Sequence, residues 1–170
     1  MLEKSEGLCL VAREDARVLI LGTLPGRLSL QEQEYYANPS NAFWKIMCDL
    51  IGSDHHLSYR DKTIKIMEKG IAIWDVCRAA NRTGSLDSAI RNAEPNDFKR
   101  FFSAYKQIVL ICFNGKKAED LYRRRVWPAL PYDIQQIPSE TLPSSSAALA
   151  VKYEEKRERW QRILRKHLLA

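Results

Sequence analysis

The chain has 170 residues, 45% hydrophobic and 28% charged, the balance of an ordinary globular domain rather than a disordered or fibrous chain. With 27 Lys+Arg against 21 Asp+Glu it carries a formal charge of +6, a mild argument for an anionic partner such as nucleic acid. The four cysteines stand singly, without a CxxC pair or Cys/His cluster, and no apolar run reaches the roughly 18 residues of a membrane span. Disulfide frameworks, zinc or iron–sulfur centres and transmembrane segments are therefore set aside in favour of a cytoplasmic protein with buried thiols.

Met1 to Ala16 is polar around one apolar patch, Leu8-Cys9-Leu10-Val11, and reads as a lead-in or edge segment. Val18-Leu19-Ile20-Leu21 is a continuous apolar run, short enough for a fully buried strand. Gly22-Thr23-Leu24-Pro25-Gly26 stops it with turn residues. A polar and aromatic loop follows, with Tyr35-Tyr36-Ala37-Asn38-Pro39-Ser40-Asn41 at its end. Apolar residues at Phe43, Trp44, Ile46, Met47, Leu50 and Ile51 then keep helical spacing up to Gly52.

Ser58-Tyr59-Arg60-Asp61 opens a second helix with a capping-box pattern in which Asp replaces the usual Glu or Gln. Ile71-Ala72-Ile73-Trp74 is the second buried strand, ending at Asp75, which is either a cap for the following loop or a site residue. Val76 to Leu86 reads as a loop, and Ser85 to Ile90 as one helical turn. Beyond Glu94-Pro95-Asn96-Asp97, Phe98, Phe101, Phe102 and Tyr105 share a helix face that suits the core better than a binding surface.

Gln107 to Phe113 is the clearest buried strand; it stops at Asn114-Gly115 before a basic helix from Lys116 to Val126. Tyr132 to Ile137 reads as a weaker fourth strand, Pro138 to Ser146 as a stiff Pro/Ser loop, and Ala150 to Leu169 as a last amphipathic helix. Strands alternating with helices imply one domain over residues 1–170, a three-layer α/β/α sandwich around a mainly parallel four-stranded sheet. Right-handed crossovers place the loops after Leu21, Trp74, Phe113 and Ile137 on one rim. Neither GxGxxG nor GxxxxGK[ST] occurs, so a dinucleotide fold or P-loop is not supported.

The segments LGTLPGRLSL, YYANPSNAFWKI, GIAIWDV with GSLDSAIRN, ICFNGKKA and LPSSSAALA, in this order and spacing, resemble the uracil-DNA glycosylase superfamily from about Arg17 to Ala150. The likeness is closest to its hypoxanthine-DNA glycosylase (DNA-deoxyinosine glycosylase) branch, and extends to the mismatch-specific branch. In the mismatch-specific branch a water-positioning Asn sits in the first turn; here that position is Leu24, so the role does not lie there. The resemblance moves it to Asn41, the Asn of YYxxPxNxFW, as the catalytic residue. It makes Tyr36 the ring that stacks on an extruded base, and Asp75 the strand-end group that hydrogen-bonds the base edge. The Leu142 to Ser146 loop becomes the grip on the phosphate backbone, with Ala147 and Leu149 where the family often has Pro and Asn.

The implied activity is a monofunctional DNA glycosylase of base excision repair, acting on deaminated bases. Hypoxanthine is placed first, with uracil or xanthine preference, or a non-catalytic DNA-binding role, as alternatives. No cofactor and no metal are implied, the partner is damaged DNA, and a monomer is expected. Thr23, Leu24 and Asn114 join Tyr36 and Asp75 as expected base contacts; Ser144, Ser145, Ser146 and Lys116 are expected to meet DNA. For Arg123-Arg124-Arg125 a solvated helix face outweighs a DNA contact. An ionised Asp75 would accept from a base N–H, whereas a raised pKa would let it donate; the sequence leaves both open.

Overall fold

A computed structural model describes residues 3–170; Met1 and Leu2, the start of the polar lead-in, lie outside the described residues. In chain order the elements are β1 (Glu3–Glu6), β2 (Val18–Gly22), α1 (Arg27–Glu32), α2 (Phe43–Ile51), α3 (Tyr59–Glu68), β3 (Ile71–Asp75) and β4 (Cys77–Arg82). They continue with β5 (Arg91–Pro95), α4 (Phe98–Ala104), β6 (Leu110–Asn114), α5 (Lys116–Arg125), α6 (Tyr132–Gln135), β7 (Ser139–Leu142) and α7 (Tyr153–Leu164). The main sheet has four parallel strands in the order β3-β2-β6-β7, and β1-β4-β5 form a small antiparallel sheet beside it.

The side-chain alternation of β2 explains the layers. Val18 and Ile20 pack with Phe43, Ile46 and Met47 of α2, Ile66 of α3 and Trp160 of α7. Leu19 and Leu21 point the other way, onto Phe98, Phe101 and Phe102 of α4 and Leu121 and Tyr122 of α5. A strand apolar on both faces needs cover on both, and the helices supply it, giving the expected α/β/α sandwich with the aromatic stripe of α4 in the core. The Ser58 N-cap forms, with the Asp61 side chain on the hydroxyl: Ser58 Oγ accepts from the Asp61 N–H at 3.1 Å and donates to the Asp61 carboxylate at 2.7 Å. The Arg123 to Arg125 run lies exposed on α5.

Three expectations need correction. Residues 132–137 are not the fourth strand. Pro131 leads into the short helix α6, where the Gln135 side chain donates to the carbonyls of Trp127 and Leu130 and Ile134 and Ile137 pack on the core. The fourth strand is β7, inside the stretch expected to be a stiff loop. It is an edge strand with only Leu142 buried, so it lacks the apolar run of its neighbours; the rim loop follows Leu142, not Ile137. Second, residues 77–82 within the expected loop form β4, whose alanines Ala79 and Ala80 are buried while its backbone pairs with β1 and β5. Third, the loop before Tyr35 contains α1, whose N-cap, Gly26, supplies no side-chain hydrogen bond.

Trp160 is fully buried, and its indole N–H donates to the Pro143 carbonyl at 2.8 Å. Trp160→Ala is expected to destabilise the protein by about 3–5 kcal/mol, read from the urea-unfolding midpoint.

Candidate active site

Parallel register brings the strand ends to one edge: Gly22 lies opposite Asp75, Leu21 opposite Phe113, and Asn114 opposite Leu142. The loops leaving that edge enclose a cavity of about 430 Å³. Thr23, Leu24, Tyr36, Asn41, Asp75 and Asn114 line it, together with Ser144, Ser145 and Ser146. Lys116 does not; it is exposed at the start of α5. No lysine lines the cavity among the described residues.

Asp75 is the chemical centre of this wall. Its side chain is 4% exposed, and Oδ2 has no hydrogen-bond partner among the described residues. The carboxyl does not cap the following loop, which is held instead by Val76 N–H to Gly22 O, Cys77 N–H to Thr23 O and the Asn96 side chain to Asp75 O. Burial, reinforced by the nearby charge of Asp87 and only partly opposed by Arg82, pushes its pKa up to about 8. At neutral pH Asp75 is therefore mainly a neutral acid able to donate.

Gly22 makes room for it. A Cβ at that position would fall 2.4 Å from Asp75 Oδ1 and 3.1 Å from the Tyr36 hydroxyl, so only glycine lets both groups stand above the strand end. Tyr36 is itself held at φ 55°, a left-handed conformation that costs about 1–3 kcal/mol in a non-glycine residue. Its ring stacks on Phe43 with centroids 3.9 Å apart, and the buried Ser29 hydroxyl accepts from the next N–H, that of Ala37, at 3.1 Å. One ring face is thus covered and the hydroxyl is buried, while the residue remains part of the cavity wall. Burial and the Asp75 charge raise the Tyr36 pKa, so the phenol stays protonated.

The turn from Gly22 to Gly26 has every carbonyl engaged. Gly22 O and Thr23 O accept from Val76 and Cys77, Gly26 O from Leu30, and Leu24 O and Pro25 O from the Arg82 guanidinium. In a trans peptide the N–H points opposite the preceding carbonyl, so the N–H groups of Thr23, Leu24 and Gly26 are directed away from these partners. Arg82, which the sequence reading left in a loop, is thereby a positioning residue, with its side chain 2% exposed. Asp87 was also missed as a site residue. It accepts from Thr23 Oγ1 at 2.6 Å, lies 3.9 Å from Arg82, and is the second carboxylate of the cavity. Its place in GSLDSAIRN was visible in the sequence; its approach to Thr23 depends on the β4–β5 hairpin.

Opposite lie the amides and serines. Asn41 Oδ1 accepts from the Phe43 N–H at 3.0 Å at the start of α2, which fixes the amide orientation and leaves Nδ2 as a donor. Asn114 holds Ser145 twice: its Nδ2 donates to Ser145 Oγ at 2.8 Å and its Oδ1 accepts from Ser145 N–H at 2.9 Å. Ser145 is 1% exposed and its carbonyl takes the Ala42 N–H, so this serine anchors the loop and does not present its hydroxyl at the surface. Ser144 and Ser146 are half-buried in the cavity wall. Lys156, another residue without a sequence signal, is buried and donates to the Ser146 carbonyl at 2.8 Å. Among the described residues no group of His, Cys, Asp and Glu is arranged to hold a metal ion, and no helix is long and apolar enough to cross a membrane.

Comparison with known proteins places this geometry in a family. Residues 10–168 match the model of the uracil DNA glycosylase superfamily. A protein of Methanosarcina acetivorans named hypoxanthine DNA glycosylase is 35% identical over 159 residues, covering 91% of this chain and 94% of the relative. One of the same name from Methanosarcina barkeri is 34% identical over 116 residues, 68% of this chain and 73% of the relative. The solution NMR structure of a candidate uracil DNA glycosylase from Methanosarcina acetivorans superposes with a TM-score of 0.81 at 33% identity, over 96% of this chain and 98% of that one.

The Asp75 carboxyl makes folding depend on pH. Its pKa lies near 8 when folded against 3.8 in the ordinary state, so its contribution is fully present below about pH 4 and is lost as pH rises through about 8. Relative to Asp75→Asn, the wild-type urea midpoint is expected to fall between pH 5 and pH 9; parallel midpoints across that range would contradict the raised pKa.

Proposed function

The chain belongs to the uracil DNA glycosylase superfamily, and from that membership and the cavity's chemistry we propose that it is a monofunctional DNA glycosylase of base excision repair. It hydrolyses the N-glycosidic bond of deaminated bases, hypoxanthine first, as a monomer in the cytoplasm without cofactor or metal. The observation that carries the reading is the Asp75 carboxyl buried in the cavity wall, with Oδ2 unpartnered among the described residues.

The target nucleotide leaves the stack, at a cost of about a few kcal/mol that is smallest for a mispaired lesion, and its base enters the cavity. The open side of Tyr36 stacks on the base. Asp75 donates to the carbonyl oxygen that deamination has created on it. As the C1′–N bond breaks, its electron pair moves onto the base and negative charge grows on that oxygen. A hydrogen bond from neutral Asp75 then strengthens in the transition state, where an ionised carboxylate would repel. The N–H groups of Thr23, Leu24 and Gly26 add donors. Adenine carries an amino group in place of that oxygen, so the acid has no developing oxyanion to stabilise there.

Water attacks C1′ from the side of Asn41, forms the new C1′–O bond, and gives up a proton that ends on the released base or in solvent. An amide orients this water without acting as a strong base, so leaving-group stabilisation supplies much of the rate. That no lysine lines the cavity among the described residues favours direct hydrolysis, leaving an abasic sugar and an unbroken strand. The hydroxyls of Ser144 and Ser146 grip phosphates at the rim, Ser145 holds their loop, and Lys116 adds non-specific attraction.

Duplexes carrying hypoxanthine, uracil or xanthine, incubated with the protein and then treated with alkali, are expected to break at the lesion, hypoxanthine fastest. Intact strands with all three, from folded protein that binds DNA, would refute the activity. Asn41→Ala is expected to lower turnover by about 10²-fold while preserving DNA affinity. Excision by the wild type is expected to decline as pH rises through about 8; Asp75→Asn, which keeps a donor, retains activity without that decline, and Asp75→Ala loses it.

A further inference from the structure

Behind the Tyr36 to Asn41 loop lies a second cavity of about 360 Å³. It shares Tyr36, Asn38 and Asn41 with the first, so one loop is the common wall. Its other side is made by Trp44 and Lys45 of α2 and by Tyr59 and Lys62 of α3.

The aromatic corner is rigid. The Trp44 indole N–H donates to the Tyr35 carbonyl at 2.7 Å, and the Tyr59 hydroxyl accepts from the Tyr35 N–H at 3.1 Å. The two rings meet edge to face, 5.6 Å apart at 88°. Both polar ends are thus fixed on one backbone residue, while both side chains stay half-exposed toward the groove. Such a surface stacks a base or sugar with little further ordering.

The charges favour an anion. Among the described residues neither Lys45 nor Lys62 forms a salt bridge; Lys45 instead lies 4.0 Å above the Tyr153 ring. His55 at the groove edge is paired with Asp49 at 2.8 Å, and Asp49 also takes the Tyr153 hydroxyl, so that carboxylate is already matched. Among the described residues Glu34 is the one carboxylate lining the groove. Fixed aromatic rings beside two ammonium groups that form no salt bridge among the described residues are the elements of a strand-tracking site.

We propose that this groove is a second nucleotide subsite, which holds the nucleotide adjoining the target on the damaged strand. Its phosphate lies against Lys45 and Lys62, and its sugar and base edge against the Trp44 and Tyr59 rings. The proposal rests on the reading of this chain as a DNA glycosylase.

The test is the double variant Lys45→Gln/Lys62→Gln, checked for unchanged thermal melting. Binding to an undamaged duplex is measured over a range of salt, and excision on hypoxanthine duplexes trimmed close to the lesion on one flank or the other. For the variant, the slope of log affinity against log salt is expected to fall by about one to two, and KM to rise on the order of tenfold with turnover at saturation kept. Trimming one flank is expected to raise KM for the wild type and leave the variant indifferent. An unchanged salt slope and KM would overturn the subsite, as would equal sensitivity to both flanks. Since the undamaged duplex is never cleaved, its salt slope reports on the groove even if the assigned excision activity fails.

Discussion

A carboxyl group buried at the end of a parallel strand, with one oxygen unpartnered among the described residues, is the constraint around which this structure is arranged. Burial of an ionised carboxylate is expensive, and Asp75 meets that cost by staying protonated. The cation nearest in effect, Arg82, has its guanidinium engaged with the carbonyls of Leu24 and Pro25. The neighbouring carboxylate Asp87 works in the opposite direction, against ionisation. Gly22 supplies the space and Tyr36 the strained backbone that closes the wall above it. Each of these features is unfavourable or permissive by itself; together they present a neutral hydrogen-bond donor to a cavity of about 430 Å³.

The opposite wall is rigid for a different reason. Asn114 at the end of β6 clasps Ser145, Ala42 at the start of α2 donates to the same serine, and Lys156 and Trp160 of α7 hold the carbonyls on either side. The serine loop is therefore tied to three elements of the fold. Preorganisation of this kind suits the proposed mechanism, which has no strong base, because donors that need not move cost no reorganisation when the base departs.

Much of this was legible in the sequence. The apolar runs at Val18 and Ile71 gave their strands, and the rim clusters did converge because parallel strands end together. What stayed hidden was placed by tertiary pairing. SETL carries too few apolar residues to announce a strand, yet pairing with β6 makes it one. CRAANR reads as a loop because its burial uses alanines, and its strand forms against β1 and β5. Arg82 and Asp87 ride on that hairpin, so their approach to the turn had no local signal. Asn114 and Ser145 were singled out, but only the structure reveals that they serve each other. The protonation of Asp75 was open in the sequence because burial and the Asp87 charge are properties of the fold.

The state of that one proton is the most direct thing to measure. The Asp75 carboxyl carbon can be followed by NMR through a pH titration, with Asp75→Asn assigning its resonance. A protein built to donate from Asp75 shows a midpoint near pH 8. A midpoint near 4, in the ordinary aspartate range, would leave a carboxylate facing the departing base and contradict the mechanism.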